Sequence, residues 1–397
     1  MTGKRILAVH RYFYPDTAPY ATILKNIVEE WVRKGHWVEV LSSKPSYGSF
    51  LNETEDATPN DYKITRLALK PERKKPVVRL VNAIKLCASL AKKILFSKKY
   101  DVVMISTVPP VIGAWVVAVC CKLRGTRFIY HVMDVHPEIG AISGEFKKPI
   151  VFKILSMMDR FSCRIANPIV VLSNDMKISI EEKGVSNIEV IPNFEIGSVN
   201  NDVLLPYRPK EESISILFAG NMGRFQGLEK LILALNECEI DIKKRIELIF
   251  MGEGTEKEKL ASLVSEKKLS NSVVFLEPQP IEVAKRMMQV ADVGFVSLVS
   301  DIYRYAYPSK VSTYLGQGLP VWAHVEADSD LAKNIECNGI GFVSDSRQQA
   351  SLQDGFKTLM GLVSESKITR NRVSEYSERE LSKSKILARW AQLLDKD

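Results

Sequence analysis

Ser215-Ile216-Leu217-Phe218-Ala219-Gly220-Asn221-Met222-Gly223-Arg224-Phe225-Gln226-Gly227, running into Leu228 to Leu235, joins an apolar run, a glycine-rich turn and a helical pattern in immediate succession. A short apolar run closed by glycine reads as a buried strand, and the 3.6-residue spacing behind it as a helix. Glycine allows a tight turn and close backbone approach. The start of the helix supplies free N–H groups and a partial positive charge. The stretch is a candidate phosphate seat with Arg224 as a cationic partner; the alternative is a glycine-rich connection without a ligand. It is neither GxGxxG nor GxxxxGK[ST], which disfavours a Rossmann-type dinucleotide site or a P-loop.

The same unit recurs on both sides. Ile246–Met251, Ser272–Leu276, Val293–Leu298, Pro320–His324 and Gly341–Ser344 read as further strands with helical runs between them. Upstream, Arg5–His10, Trp37–Ser42, Tyr62–Leu69, Asp101–Ser106, Arg127–Asp134, Pro168–Leu172 and Ile188–Pro192 do the same. Near-continuous apolar strands alternating with helices mean a parallel sheet covered on both faces. Glu195 to Glu212, with Gly197, Pro206 and Pro209, interrupts the pattern as a linker. The expected fold class is therefore α/β: two doubly wound Rossmann-like domains facing across a cleft. The expected boundaries are 1–195, a linker 196–212, 213–375, and a helical segment 376–397 that packs back on the first domain. The length of 397 residues suits two or three domains.

Composition narrows the class. Apolar residues are 46% and charged residues 26%, an ordinary globular balance that excludes a disordered tail or a collagen. No run is long enough for a membrane span, and Met1 to Val9 reads as a strand and not as a signal peptide. The six cysteines form no CxxC, so reduced, buried thiols in a cytoplasmic protein are expected. No histidine pair has zinc-ligand spacing, so no metal site is expected.

The net charge of +8 is uneven. Residues 1–196 carry 29 Lys+Arg against 19 Asp+Glu; the remainder carries 26 against 28. Most of the excess lies in 63–99, including Arg73, Lys74, Lys75, Arg79, Lys92 and Lys93, against the single acid Glu72. Apolar residues from Val78 to Leu95 interleave with these bases. Such a basic amphipathic helix suits an anionic membrane surface, each base adding about 1 kcal/mol of attraction. The alternative is a solvated helix packed on its own domain. Nucleic acid is disfavoured by the lack of aromatics and of a recognisable binding motif.

Three further segments carry candidate chemistry. Met251-Gly252-Glu253-Gly254 ends a strand, and a plain strand-to-helix turn explains it equally well. In Tyr307-Pro308-Ser309-Lys310, Pro308 is placed to start a helix with Ser309 and Lys310 in its first turn. A lysine there opposes the helix dipole by a few tenths of a kcal/mol unless an anion is present, so Lys310 reads as a diphosphate ligand or else a solvated lysine. In His131-Val132-Met133-Asp134-Val135-His136-Pro137-Glu138 an acid and a histidine close a strand, where α/β sheets bind ligands. Asp328-Ser329-Asp330 has a DxD form, but the helical run behind it makes a cap the better reading.

Taken in order, these segments resemble a family-4 glycosyltransferase of the GT-B fold over nearly the whole chain. Tyr14-Pro15-Asp16 with Gly35-His36-Trp37-Val38-Glu39-Val40 matches the family's first strand–helix–strand unit, and Ile191-Pro192-Asn193 its domain boundary. Gly220–Gly227, Gly252-Glu253-Gly254, Ala291-Asp292-Val293 and Gly318-Leu319-Pro320-Val321 match its later motifs. The departures matter equally. The family's two donor-site glutamates, eight residues apart, would fall at Tyr305 and Thr313. The usual arginine and lysine of the glycine-rich loop would fall at Asn221 and Gln226, and the usual histidine before Asp134 is Met133. Asn221 with Gln226-Gly227, Pro308-Ser309-Lys310 and Asp134-x-x-Pro137-Glu138 resemble a subgroup that transfers deoxyamino or acetamido sugars, as fucosamine transferases do, in bacterial O-antigen and exopolysaccharide assembly.

The resemblance implies a retaining, metal-independent transferase moving a sugar from a UDP-sugar to a lipid-linked saccharide. The protein would be cytoplasmic and peripheral to the inner membrane, with no cofactor. It implies a donor site at Asn193, Gly220, Asn221, Gly223, Arg224, Gln226, Glu253, Gln279, Pro308, Ser309, Lys310 and Thr313 in the second domain. Asp134, His136 and Glu138 would be the catalytic candidates in the first, acceptor-binding domain. Two rival readings stand beside it. One is a non-catalytic protein that scaffolds polysaccharide assembly or needs a partner glycosyltransferase subunit, favoured by Tyr305, Thr313 and Gln226. The other is a UDP-sugar epimerase, which calls for more acids and histidines than the Asp134–Glu138 cluster supplies.

Overall fold

The computed structural model describes residues 3–16, 18–45, 61–70, 76–142, 144, 146, 148–195, 202–348, 350–364 and 369–395. They form two units. The first comprises Met1–Pro192, Tyr305–Tyr307 and Ser384–Asp397; the second comprises Asn193–Arg304 and Pro308–Lys383.

The first unit holds seven parallel strands: β1 (Arg5–Val9), β2 (Trp37–Ser43), β3 (Lys63–Leu67), β4 (Val102–Ser106), β5 (Arg127–His131), β6 (Ile169–Val171) and β7 (Ile188–Val190). Their order is β3-β2-β1-β4-β5-β6-β7, with Ile6 registered against Val38 on one side and Val102 on the other. The order reverses between β1 and β4, which makes that gap the switch point of a doubly wound sheet. β4 is buried along its whole length, as a central parallel strand must be, whereas the edge strand β3 is half-buried. Strand β5 ends at His131, three residues before the expected Asp134. Beyond it the chain leaves the sheet, and Asp134 forms an isolated antiparallel bridge with Ala306.

Helices cover both faces. Pro19–Arg33 buries Leu24, Ile27, Val28 and Trp31 in one stripe, the period the sequence predicts. The last helix, Lys383–Asp395, brings Trp390 edge-on to Trp31 at 6.3 Å, and the Trp31 indole N–H donates to the Trp390 carbonyl at 3.1 Å. Arg127 and Arg389 add bonds between this helix and the sheet's strands, to the Leu393 and Val190 carbonyls.

The second unit holds six parallel strands: β8 (Ile214–Ala219), β9 (Ile246–Met251), β10 (Val273–Leu276), β11 (Val293–Ser297), β12 (Val321–Val325) and β13 (Gly341–Asp345). The order β10-β9-β8-β11-β12-β13 reverses at β8/β11. β8, β9, β11 and β12 are wholly buried, and Trp322 packs at about 5 Å from Phe295, Phe342 and Phe356 at the centre of this core. The segment before β8 is stitched to this unit: the Tyr207 hydroxyl donates to buried Glu247, and the Lys210 N–H donates to the same carboxylate. Ser329 caps the helix Asp330–Asn338 by accepting from the Ala332 N–H, so the DxD form is a helix start.

Candidate functional site

In the second unit the glycine-rich turn leaves β8 at the switch point. It is locked onto the turn after β9: the Gly220 N–H donates to the Met251 carbonyl at 2.8 Å and the Met222 N–H to the Glu253 carbonyl at 2.7 Å. Gly252 and Gly254 make that fit feasible. Both have positive φ, and a Cβ on either would lie 2.2 Å from the carbonyl oxygen of Gly220 or Met222. The Gly252-Glu253-Gly254 motif thus has a structural reason of its own.

Lys310 opens the helix Lys310–Gly316, directly after Pro308 and the half-turned Ser309. Its side chain crosses to the glycine turn. A Cβ on Gly220 would meet Lys310 Cε at 3.0 Å and Nζ at 3.4 Å. The ammonium stands 4.6 Å from the centre of the Phe218 ring. Burial pushes its pKa down to about 8. Among the described residues no ion pair neutralises it. A partly desolvated cation beside glycine backbone at the carboxyl end of a strand can receive an anion. Tyr314, one turn on, accepts the Ala219 N–H at 2.8 Å and so holds the end of β8 in place. Nothing in the spacing of Tyr314 distinguishes that duty from ordinary core packing.

The other donor-site candidates fall into smaller groups. Gly223 to Gln226 closes on itself, the Gly223 N–H donating to Gln226 Oε1 at 2.9 Å, with the Asn221 amide against Gly223. Gln226 is therefore a cap where the family's lysine would stand. Arg224 is exposed and its guanidinium lies 3.3 Å from Glu256, so it is at the turn's rim and not beside Lys310's ammonium. Glu253 and Glu277 share Lys257, at 2.7 and 2.9 Å, and the Gln279 amide donates to the Glu277 carbonyl. The bond from Lys257 holds the Glu253 carboxyl below its usual range. Thr313 is half-buried on the same short helix as Lys310. Asn193 is buried with its side-chain N–H₂ unpartnered; two residues on, Glu195 accepts from Gln317 at the end of that helix.

In the first unit the Asp134–Glu138 segment follows β5. Burial raises the Asp134 carboxyl to about 6, so it titrates near neutrality. Burial, aided by the charge of Lys183, lowers His136 to about 4, leaving a neutral ring whose buried Nδ1 has no partner. Val135 donates its N–H to the Tyr305 carbonyl at 2.7 Å, and Tyr305 and Tyr307 pack on this unit's core. The position of the family's first glutamate is thus occupied by a side chain committed to packing. Glu138 is not a free carboxylate. It accepts from Lys183 Nζ at 3.0 Å, and the same buried ammonium donates to Asp159 at 2.6 Å and to the His136 carbonyl at 2.9 Å. Lys183 thereby uses all three donors to tie the His136–Glu138 turn to Asp159 of the helix Pro149–Ile165. Burial opposes its charge, but Asp159 and Glu138 outweigh it and hold its pKa up. Neither Lys183 nor Asp159 stands out in the sequence, because a lone lysine after Glu181-Glu182 reads as a solvated helix end.

The basic helix spans Pro76–Phe96. Arg79 and Lys92 are on its exposed side. Lys93 corrects the expectation: its ammonium is turned inward to buried Glu39 at 2.6 Å and to Thr65, so it cannot serve an outer surface. Arg73, Lys74 and Lys75 lie outside the described residues. No helix among the described residues is long and apolar enough to cross a membrane.

Two doubly wound parallel sheets in tandem, with a glycine turn and a lysine at the switch point of the second, are the architecture of the GT-B fold. Residues 20–193 match the glycosyl transferase 4-like domain, and residues 206–380 match the glycosyl transferases group 1 domain. The chain belongs to the family-4 glycosyltransferases. It is 22% identical over 413 residues to WcaI of Escherichia coli (strain K12), named for glycosyl transfer in colanic acid biosynthesis; the match covers 96% of this chain and 98% of that one. WbjE of Pseudomonas aeruginosa, named as a glycosyltransferase, is 24% identical over 55% of this chain and 56% of its own. Among solved structures, HepE of Anabaena in complex with UDP superposes with a TM-score of 0.70 at 14% identity, covering 99% and 100% of the two chains.

Proposed function

We propose that this transferase moves a sugar from UDP to a lipid-linked saccharide during assembly of a bacterial surface polysaccharide, with retention of configuration. The observation that carries the reading is the Lys310 ammonium, desolvated and lying against the Gly220 turn at the switch point. The full-length match to a protein named for colanic acid biosynthesis supports the pathway class, and the UDP complexes of HepE support the nucleotide.

The diphosphate lies against the Gly220 turn with Lys310 as its principal cation. Arg224 reaches it only by leaving Glu256. Asn193, Gln226, Pro308, Ser309 and Thr313 line the same donor region, and Glu253 and Gln279 stand where the base and ribose lie. As the bond between the anomeric carbon and the diphosphate oxygen breaks, negative charge grows on the diphosphate, and a half-buried, partly desolvated ammonium stabilises it. The acceptor hydroxyl forms the new bond on the same face, and its proton passes to the departing diphosphate. Side-chain cations carry this load, without a resident cofactor. Asp134 and neutral His136 orient the acceptor, and Glu138 acts through Lys183 to hold their turn. The sugar is of the deoxyamino or acetamido class. The basic helix Pro76–Phe96 holds the protein on an anionic inner-membrane surface.

The test is turnover of a panel of UDP-sugars with membrane extracts containing lipid-linked saccharides, read as UDP release and as the anomeric configuration of the product by NMR. Retained configuration with one acetamido donor is the expected result. UDP release independent of acceptor, or an inverted product, overturns the reading.

A further inference from the structure

The membrane reading above rests on charge in one helix, and the inference here rests on that reading. The helices Pro76–Phe96, Ile112–Arg124 and Pro149–Ile165 are the successive crossovers from β3 to β4, β4 to β5 and β5 to β6, and they pack side by side in one layer of the first unit. A crossover helix returns antiparallel to the strands it joins. All three therefore begin at the end of the sheet where the strands have their carboxyl termini.

The first halves of these helices carry exposed apolar side chains, and Phe96 and Leu123, 81% and 72% exposed, do the same at the far ends of the first two. Val77 and Ile84 are 71% and 59% exposed, and Trp115 is exposed at the same end of the middle helix. On the third helix Ile150, Ile154 and Met157 are 75%, 52% and 65% exposed. Their spacing of four and three places them on one outward stripe, opposite Asp159, Ser162 and Cys163, which are buried. An apolar patch of this extent is unusual on a soluble surface and marks an interaction site.

The charge around it selects the partner. From Arg73 to Arg127 there are twelve bases and a single acid, Asp101. Lys148 and Lys153 flank the stripe of the third helix, whose one acid, Asp159, is turned inward to Lys183. Apolar side chains among which cations predominate suit the headgroup boundary of an anionic bilayer.

We propose that the first half of the helix Pro149–Ile165 inserts its Ile150–Ile154–Met157 stripe into the interface of an anionic bilayer, as an apolar anchor separate from the basic helix. Asp134–Glu138 follows β5 at this same end of the sheet. The anchor would therefore hold the candidate acceptor end of the unit at the lipid surface, where the saccharide of a lipid-linked acceptor emerges.

The test is flotation of the full chain with vesicles of phosphatidylcholine and phosphatidylglycerol in equal parts, comparing wild type with the double variant Ile154→Asp/Met157→Asp. Leu204→Asp, at an exposed apolar site of the second unit, is the control. Circular dichroism checks that each is folded. Wild type is expected to keep part of its binding at about 1 M salt, where charge attraction is screened beyond roughly 3 Å. The double variant is expected to bind about tenfold or more weakly, with its residue of binding abolished by salt. Wild-type binding that the double variant matches overturns the anchor and leaves the basic helix standing. No wild-type binding overturns both. A free dimer that the double variant dissociates, without vesicle binding, assigns the stripe to a second copy instead.

Discussion

Lys310 carries the donor reading, and its chemistry can be titrated. With its pKa pushed down to about 8, the ammonium is present at neutral pH and is lost in mild alkali. Affinity for UDP should therefore be flat near pH 7 and fall as pH rises past about 8, because bound diphosphate raises the pKa of Lys310 and the free protein must then take up a proton to bind. Calorimetry across that range checks this; unchanged affinity well above pH 9 in wild type and a matching value for Lys310→Ala would remove Lys310 from the site. Lys183 belongs to the same scale. Its ammonium is shared by Asp159, Glu138 and the His136 carbonyl, so Lys183→Met leaves buried Asp159 and half-buried Glu138 without their common cation. A loss of about 3–5 kcal/mol in urea unfolding is expected; a loss below about 1 kcal/mol would mean that water replaces the ammonium. Of these two lysines only Lys310 was legible in the sequence. A lysine behind Pro308-Ser309 at a helix start is an anomaly that asks for an anion. Lys183 sits in a stretch of ordinary helix-end residues, and its value comes from tertiary neighbours. Lys93 shows the converse: one more base in a basic run, yet spent internally on Glu39.

At the scale of elements, the strands were legible because parallel strands are apolar almost throughout and glycines punctuate them. Boundaries shifted by a residue or two at most ends. β5 shifted by three because Val132, Met133 and Val135 continue its apolar run, yet only the Val132 N–H still bonds to β6, at the Val170 carbonyl, while that of Val135 goes to the Tyr305 carbonyl. No local pattern announces that Tyr305–Tyr307 joins the first unit. The final helix was expected from its periodicity, but its partner is defined by contacts: Trp390 lies 4.7 Å from the His131 ring as well as against Trp31. Burial holds His131 neutral to about pH 3, and His10 to about 4, against 6.5 in the unfolded chain. Above that unfolded value both states are neutral and the contribution of these rings is complete. As pH falls from about 6.5 toward 4, the unfolded chain takes up protons that the folded unit refuses. Stability should drop by on the order of 1 kcal/mol per pH unit for each such ring. Asp134, whose pKa is raised, offsets part of this over the same window. Tryptophan fluorescence during urea unfolding at several pH values would follow it, since Trp31 and Trp390 report the packing of this helix. Midpoints that do not fall between pH 6.5 and 4.5 would contradict the assignment.

For the molecule as a whole, the central claim is that a family-4 chain without the two customary donor-site glutamates still binds a nucleotide diphosphate, through the Gly220 turn and Lys310. Those glutamates would hold hydroxyl groups, each such bond being worth about 1.5–3 kcal/mol, whereas the proposed diphosphate seat rests on the Gly220 turn and Lys310 and uses neither glutamate position. The measurement that tests this most directly is calorimetric titration of UDP into the purified full chain beside Lys310→Ala at neutral pH. The account predicts binding by wild type and about a tenfold to hundredfold weaker binding by the variant, the loss of one charge-assisted bond. A well-folded wild type that takes up no UDP would contradict it, and would turn attention to the reading in which the chain acts without its own donor site.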